Sequence, residues 1–141
     1  MTLTVVTVVG LVVLAILVWL YVRVRSKDIL EEIIARRRAT SRLANRAVFV
    51  EGLEEFPVVL SLTSDTISYE NPDLEAKLDL AHIDEVEYDD ETATGRAVHG
   101  KALRLRSHGH TFEFVVDPAT AQQWHSALPP RRLDQGTAQA V

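Results

Sequence analysis

Cysteine is absent from the 141 residues, which excludes a disulfide framework, thiol catalysis and every thiolate metal site. Glycine and proline are few, six and five, and the glycines stand apart from one another, so there is no glycine-rich loop of the kind that cradles phosphates. Charge is missing altogether from residues 3–22 (LTVVTVVGLVVLAILVWLYV). Setting that run aside leaves roughly 120 residues, room for one small domain and not for a large multidomain enzyme. The remaining charge is segregated. Residues 1–46 hold eight basic and three acidic side chains, a net +5, whereas residues 47–130 hold five and sixteen, a net −11.

As a helix, residues 3–22 would run about 30 Å, the hydrocarbon thickness of a bilayer. Trp19 and Tyr21 sit at one end, where an interfacial aromatic belt belongs. A cleaved signal peptide is disfavoured: no charged n-region precedes the run, the run exceeds a normal h-region, and no small-x-small site follows Val22. An uncleaved single-pass anchor is expected. Arg23, Arg25 and Lys27 follow at once, so the positive-inside rule places the N-terminus outside and the C-terminal domain in the cytoplasm. Thr4, Thr7, Gly10 and Ala15 lack the four-residue spacing of a helix-dimer face. Twelve arginines against three lysines suggest a GC-rich bacterial genome, hence a cell (inner) membrane.

Residues 23–45 form a basic connector. Ile29, Leu30, Ile33 and Ile34 make an apolar helical face two turns long, and Asp28 with Glu31 has capping-box spacing. The helix either restarts there or continues from the span. Arg36, Arg37 and Arg38 follow and, with Arg23, Arg25 and Lys27, are candidate contacts for anionic lipid. The alternative is an ordinary positive-inside flank. Nucleic acid is not expected as a partner, because the basic stripe has no interleaved aromatics and belongs to an acidic protein.

From residue 46 the period changes to two. Val58, Leu60 and Leu62 alternate with polar or outward positions, as do Ile67 and Tyr69, then Leu74, Ala76, Leu78 and Leu80. Turn signals lie at Glu54-Glu55-Phe56-Pro57, Ser64-Asp65, Asn71-Pro72-Asp73 and Ser107-His108-Gly109-His110, the last a tight hairpin. With residues 47–51 and 83–89, seven strands are expected; Ile83 and Val86 break alternation in the manner of a bulge. Asp117-Pro118 opens an amphipathic helix carrying Ala121, Trp124 and Leu128, and Pro129-Pro130 ends it. A disordered tail is expected over residues 130–141.

The element order, the Leu62-Thr63-x-x-x-Ile67-x-Tyr69 run, the stretch 78–83 and Trp124 resemble the pleckstrin-homology-like (PH/GRAM-like) barrel. The resemblance spans about residues 46–128 and implies a seven-stranded antiparallel barrel or sandwich, residues 46–129, closed by the C-terminal helix with Trp124 as a core plug. Inositide binders of the family carry lysine and arginine in the first strand-to-strand loop. Here that stretch, 52–57, is acidic, so no phosphoinositide binding is expected.

Between positions 84 and 91 lie six carboxylates: Asp84, Glu85, Glu87, Asp89, Asp90 and Glu91. The spacing does not fit an EF-hand, and the run reads either as a solvated strand end or as the face for a basic protein partner. His108 and His110 flank a glycine but lack a third ligand, and His82, His99 and His125 have no evident partner. No Gly-x-Ser-x-Gly elbow surrounds Ser107 or Ser126. Neither cofactor nor enzymatic activity is expected. The leading expectation is a membrane-anchored, cytoplasm-facing module that binds a protein. The alternatives are an accessory subunit acting through its membrane helix, and lipid or small-ligand binding inside the barrel.

Overall fold

A computed structural model describes residues 1–132. It opens with one unbroken helix, α1 (Thr2–Arg38), followed by seven strands: β1 (Leu43–Glu51), β2 (Glu54–Leu62), β3 (Thr66–Asn71), β4 (Leu74–Asp79), β5 (Ile83–Glu91), β6 (Ala97–Ser107) and β7 (His110–Val116). A 3-10 turn (Leu80–His82) joins β4 to β5, and α2 (Pro118–Ala127) follows β7. Between Thr2 and Arg38 there is no proline and only one glycine, so nothing interrupts the backbone ladder, and the Asp28–Glu31 pair does not restart the helix. At 1.5 Å per residue α1 is about 55 Å long. Its last turn holds Arg36, Arg37 and Arg38, which complement the negative end of the helix dipole. The connector helix thus stops at Arg38, short of the expected residue 45, and β1 begins earlier than expected, at Leu43.

All strand pairs are antiparallel, in the order β4-β3-β2-β1-β7-β6-β5. The sheet curls into a half-barrel and leaves β4 and β5 as its edges, since the 3-10 turn carries the chain between them without pairing. The concave side holds the main core, which includes Phe49, Val58, Leu60, Leu62, Ile67, Leu103, Leu105 and Phe114. From α2, Ala121, Trp124 and Leu128 join it, and Trp124 is fully buried. Phe49 lies 4.9 Å from Tyr69 and 5.3 Å from Phe114, centroid to centroid, giving the core an aromatic centre.

Three two-residue hairpins set the register, one of them Pro72-Asp73 between β3 and β4. Gly52-Leu53 links β1 to β2 with Gly52 at φ 63°, and His108-Gly109 links β6 to β7 with φ 51° and 78°, the double left-handed pattern of a type I′ turn. The first of these corrects the sequence reading. Glu54, Glu55, Phe56 and Pro57 form strand, and the turn lies just before them. Pro57 is tolerated there because β3 pairs with β2 only from Val59 onward, so no partner requires its missing N–H. The bulge expected near Ile83 is present as a register shift between Ile83 and Glu85. Arg131 forms a bridge with Val86, so the segment expected to be a disordered tail from 130 is ordered through Arg132; residues 133–141 lie outside the described residues.

A second, smaller core lies on the convex side, where α1 crosses the sheet. Leu30, Ile33 and Ile34 pack on Val59. Arg46, Val59, Glu70 and Glu75 are successive cross-strand neighbours on β1 to β4, and they form one row across the sheet. α1 follows that row. Glu31 Oε1 meets Arg46 Nη2 at 2.6 Å, Val59 takes the apolar turn, and Arg36 and Arg37 reach Glu70 at 2.8 and 2.6 Å. Arg37 also reaches Glu75 at 3.1 Å. The helix therefore runs close to the inter-strand direction, at a large angle to the strands.

Candidate functional site

The six carboxylates of the acidic run all lie on β5, an edge strand, or in its bulge. Val86 and Tyr88 point inward against Leu105 and Leu103, so Glu85, Glu87 and Asp89 project from the opposite face. Cations of the same domain meet most of them. Arg104, on the neighbouring β6, reaches Asp89 at 2.6 Å, Glu87 at 3.3 Å and Glu113 at 3.1 Å. Lys101 pairs with Asp90, and Arg132 pairs with Glu85 at 3.2 Å. Among the described residues Asp84 and Glu91 form no ion pair, so the run presents far less free charge than its composition implies.

The Arg104 cluster is the densest electrostatic feature of the domain. Arg104 and Glu113 are 14% and 7% exposed in their side chains, and Glu113 also accepts the Ala93 N–H at 2.9 Å, which pins the β5–β6 loop onto the sheet. Burial works to lower the Arg104 pKa, but its hydrogen bonds to Asp89, Glu87 and Glu113 outweigh this and raise it. Arg104, helped by the Asp90 and Glu91 N–H groups, holds the Asp89 carboxyl below the usual carboxylate range. On the convex side, the hydrogen bond to Glu70 is the main reason the Arg37 pKa is raised.

Two depressions flank β5 and α2. One, of about 530 Å³, lies between Val86, Tyr88, Lys101, His125 and the segment 130–132; the other, of about 410 Å³, lies between Tyr88, His99, Gly100, Lys101 and α2. Tyr88 divides them. Its hydroxyl donates to the Leu128 carbonyl at 2.8 Å, and burial raises its pKa. A side chain at Gly100 would meet the Val116 carbonyl oxygen at 1.8 Å, so only glycine lets β6 pass this close to the end of β7.

The chain already lays an extended segment along this edge. The Val86 N–H donates to the Arg131 carbonyl at 2.8 Å and the Arg131 N–H donates to the Val86 carbonyl at 3.0 Å. The Arg131 guanidinium then donates to the carbonyls of Leu80 at 2.8 Å and Ile83 at 2.6 Å. Sequence reasoning missed this contact because Pro129-Pro130 reads as a stop.

The candidate lipid-contact residues separate into two groups. Arg23, Arg25 and Lys27 are exposed on the first turns beyond residue 22, with Arg23 stacked over Trp19 at 5.1 Å and Arg25 hydrogen-bonded to Tyr21 at 2.8 Å. Arg36 and Arg37 are engaged with the sheet, about 20 Å farther along the helix, and Arg38 follows them on the last turn. The histidines pair unexpectedly. His108 lies beside His82 with the rings tilted, centroids 5.0 Å apart, while His82 Nδ1 lies 3.6 Å from Asp79. Among the described residues no group of three or more His, Asp or Glu side chains is arranged to hold a metal ion. The Ser107 hydroxyl donates to the His82 carbonyl at 2.9 Å.

No protein-family model matches the chain, and neither a curated protein nor a solved structure matches it significantly.

Proposed function

We propose that the chain is a single-pass membrane protein whose cytoplasm-facing, PH-like domain binds a protein partner through the β5 edge, without catalysis. The PH-like reading is supported by the meander order of seven antiparallel strands and by a closing helix whose tryptophan fills the concave side. The membrane reading is supported by α1, which is near the N-terminus, long and apolar enough to cross a bilayer, and whose apolar window is wholly exposed. Its orientation follows from Arg23, Arg25 and Lys27.

The observation that carries the binding proposal is the Arg131 contact. An edge strand that accepts an extended segment by backbone pairing, and holds a guanidinium on two carbonyls and another on Glu85, has the chemistry to take a partner's extended basic segment. Asp84, Glu85, Glu87, Asp89, Asp90 and Glu91 supply the acidic surround, in which intramolecular pairs already meet four of the six. A partner would displace the segment 129–132. The anionic-lipid part of the proposal rests on Arg23 and Lys27, since Arg25 is turned toward Tyr21.

Site-directed photocrosslinking in native membranes tests this reading. Crosslinks to a protein from positions 84 and 91, weakened by an added arginine-containing peptide, support it. Crosslinks confined to positions 3–22 would instead favour an accessory subunit acting through its helix, for which the exposed apolar surface of α1 is the supporting feature. Ligand binding inside the half-barrel would have to displace Trp124, Phe114 and Leu60, all fully buried.

A further inference from the structure

Where α1 leaves its apolar stretch, it and the convex side of the sheet enclose a wedge of about 570 Å³. We infer that this wedge is a binding site for one anionic phospholipid of the adjoining leaflet, its phosphate held by Arg23, Lys27 and Arg46; the inference rests on the proposal that α1 spans the membrane.

Three features point to that occupant. The first is position. Arg23 and Lys27 lie within about 8 Å, along the helix, of the end of the uncharged run, which is the depth of lipid headgroups. Because α1 is unbroken, no hinge allows the wedge to leave that level. The second is charge. Three cations line the wedge against one carboxylate, Asp117. Arg46 is partly neutralised by Glu31 at 2.6 Å, but among the described residues Arg23 and Lys27 form no ion pair, and Arg23 meets only the Trp19 ring. The third is the wall opposite them. Val48, Pro57 and Val115, from β1, β2 and β7, present an apolar surface suited to the glycerol and first methylenes of a lipid and unsuited to a free hydrated anion. Two cations of the helix with Arg46 of β1, beside apolar groups of the sheet, match the two halves of a phospholipid.

This site is distinct from the acidic first hairpin, whose Gly52-Leu53 turn carries Glu51 and Glu54 on either side, and from the β5 edge. It also separates Arg25 from its neighbours. Arg25 belongs to the same basic flank, but it points to Tyr21 and does not line the wedge.

The test uses the full chain in nanodiscs of mixed phosphatidylglycerol and phosphatidylcholine, released for native mass spectrometry. The wild type should retain one phosphatidylglycerol per chain in clear preference to phosphatidylcholine. Arg23→Gln and Lys27→Gln should each weaken retention about fivefold, since each removes a cation that lines the wedge. Ser26→Trp, which fills the wedge without changing charge, should expel the lipid too; the side chains of Ser26, Arg23 and Lys27 are exposed, and the one sheet contact at Lys27 is its carbonyl, which accepts from Arg46 at 3.1 Å and is kept in Lys27→Gln. Arg25→Gln should leave retention unchanged. Equal loss in Arg25→Gln, retention that survives Ser26→Trp, absence of any preference for phosphatidylglycerol, or displacement by millimolar inorganic phosphate would each overturn the inference. Alkaline carbonate extraction of cell membranes carrying the full chain reads the anchor separately: release into the supernatant defeats the membrane reading itself, whereas a chain that stays in the pellet but shows no lipid preference in nanodiscs defeats only the wedge.

Discussion

Replacing Trp124 by alanine removes the largest fully buried side chain of the domain. An aromatic ring of this size buries on the order of 200 Å² and, at about 25 cal/mol per Å², contributes roughly 5 kcal/mol of transfer free energy. Partial collapse of the core around the cavity brings the expected loss to about 3 to 5 kcal/mol, comparable with the whole stability of a domain this small. The indole offers a second, sharper comparison. Its Nε1–H is buried and has no hydrogen-bond partner among the described residues, so part of the stabilisation from burial is offset by a stranded donor worth about 1 to 3 kcal/mol. Trp124→Phe gives up some ring contact but removes that donor, and should cost less than about 1 kcal/mol. The measurement is urea unfolding of the full chain in detergent micelles, followed by the β-sheet circular dichroism signal. A Trp124→Ala midpoint close to wild type would refute the closing role of α2. A Trp124→Phe loss as large as that of Trp124→Ala would refute the argument from the unpartnered N–H.

Arg104→Ala should cost about 3 to 5 kcal/mol because it strands Glu113 in a buried position, and adding Glu113→Gln to it should restore part of the loss; a double variant less stable than the single would contradict this. The Asp89 carboxyl, with its folded pKa depressed by Arg104, contributes stability that is present above about pH 4, where the unfolded carboxyl ionises, and is lost as pH falls through the folded value; Arg104→Met should flatten that acid limb in pH-dependent melts. Tyr88, with its pKa raised by burial, stays protonated in the folded chain while the unfolded phenol ionises near pH 10, so stability should fall as pH rises above about 10; Tyr88→Phe should remove that part of the loss and cost about 1 kcal/mol at neutral pH. Gly100→Ala should destabilise by at least 1 to 3 kcal/mol, since its Cβ would meet backbone that cannot rotate away; a melting temperature equal to wild type would show that β6 and β7 can separate there.

What the sequence displays directly is the concave side of the sheet. Val58, Leu60 and Leu62, then Leu103 and Leu105, are buried in alternation because one side of each strand meets a single apolar core. The convex side was not legible. Val59 and Glu70 sit at outward positions, which alternation assigns to solvent, yet they are 1% and 9% exposed because a helix from the other end of the chain lies over them. The apolar face of Ile29, Leu30, Ile33 and Ile34 was visible, but not what it covers. Arg36 and Arg37 likewise read as a basic surface until Glu70, more than 30 residues away, meets them. At the acidic run the six carboxylates were plain and their partners were not, since Arg104 and Lys101 come from the neighbouring strand and Arg132 from beyond a proline stop. Local pattern reports the period of burial; it cannot report which element supplies the second surface.

The unbroken helix that crosses the sheet along the row from Arg46 to Glu75 acts, in the proposed membrane setting, as a stiff lever. A hinged connector would let the domain keep its attitude whatever the span did, but here the domain is fixed to the shaft by an apolar turn at Val59 and arginine contacts at Glu70. Any tilt of the span, such as a helix adopts when bilayer thickness changes, must therefore turn the whole half-barrel with it. Sixteen residues of helix extend beyond residue 22, about 24 Å, so a tilt of about 10° displaces the far end by about 4 Å. The β5 edge would move relative to the membrane plane by a comparable distance, and bilayer thickness would set the height at which a membrane-bound partner meets it.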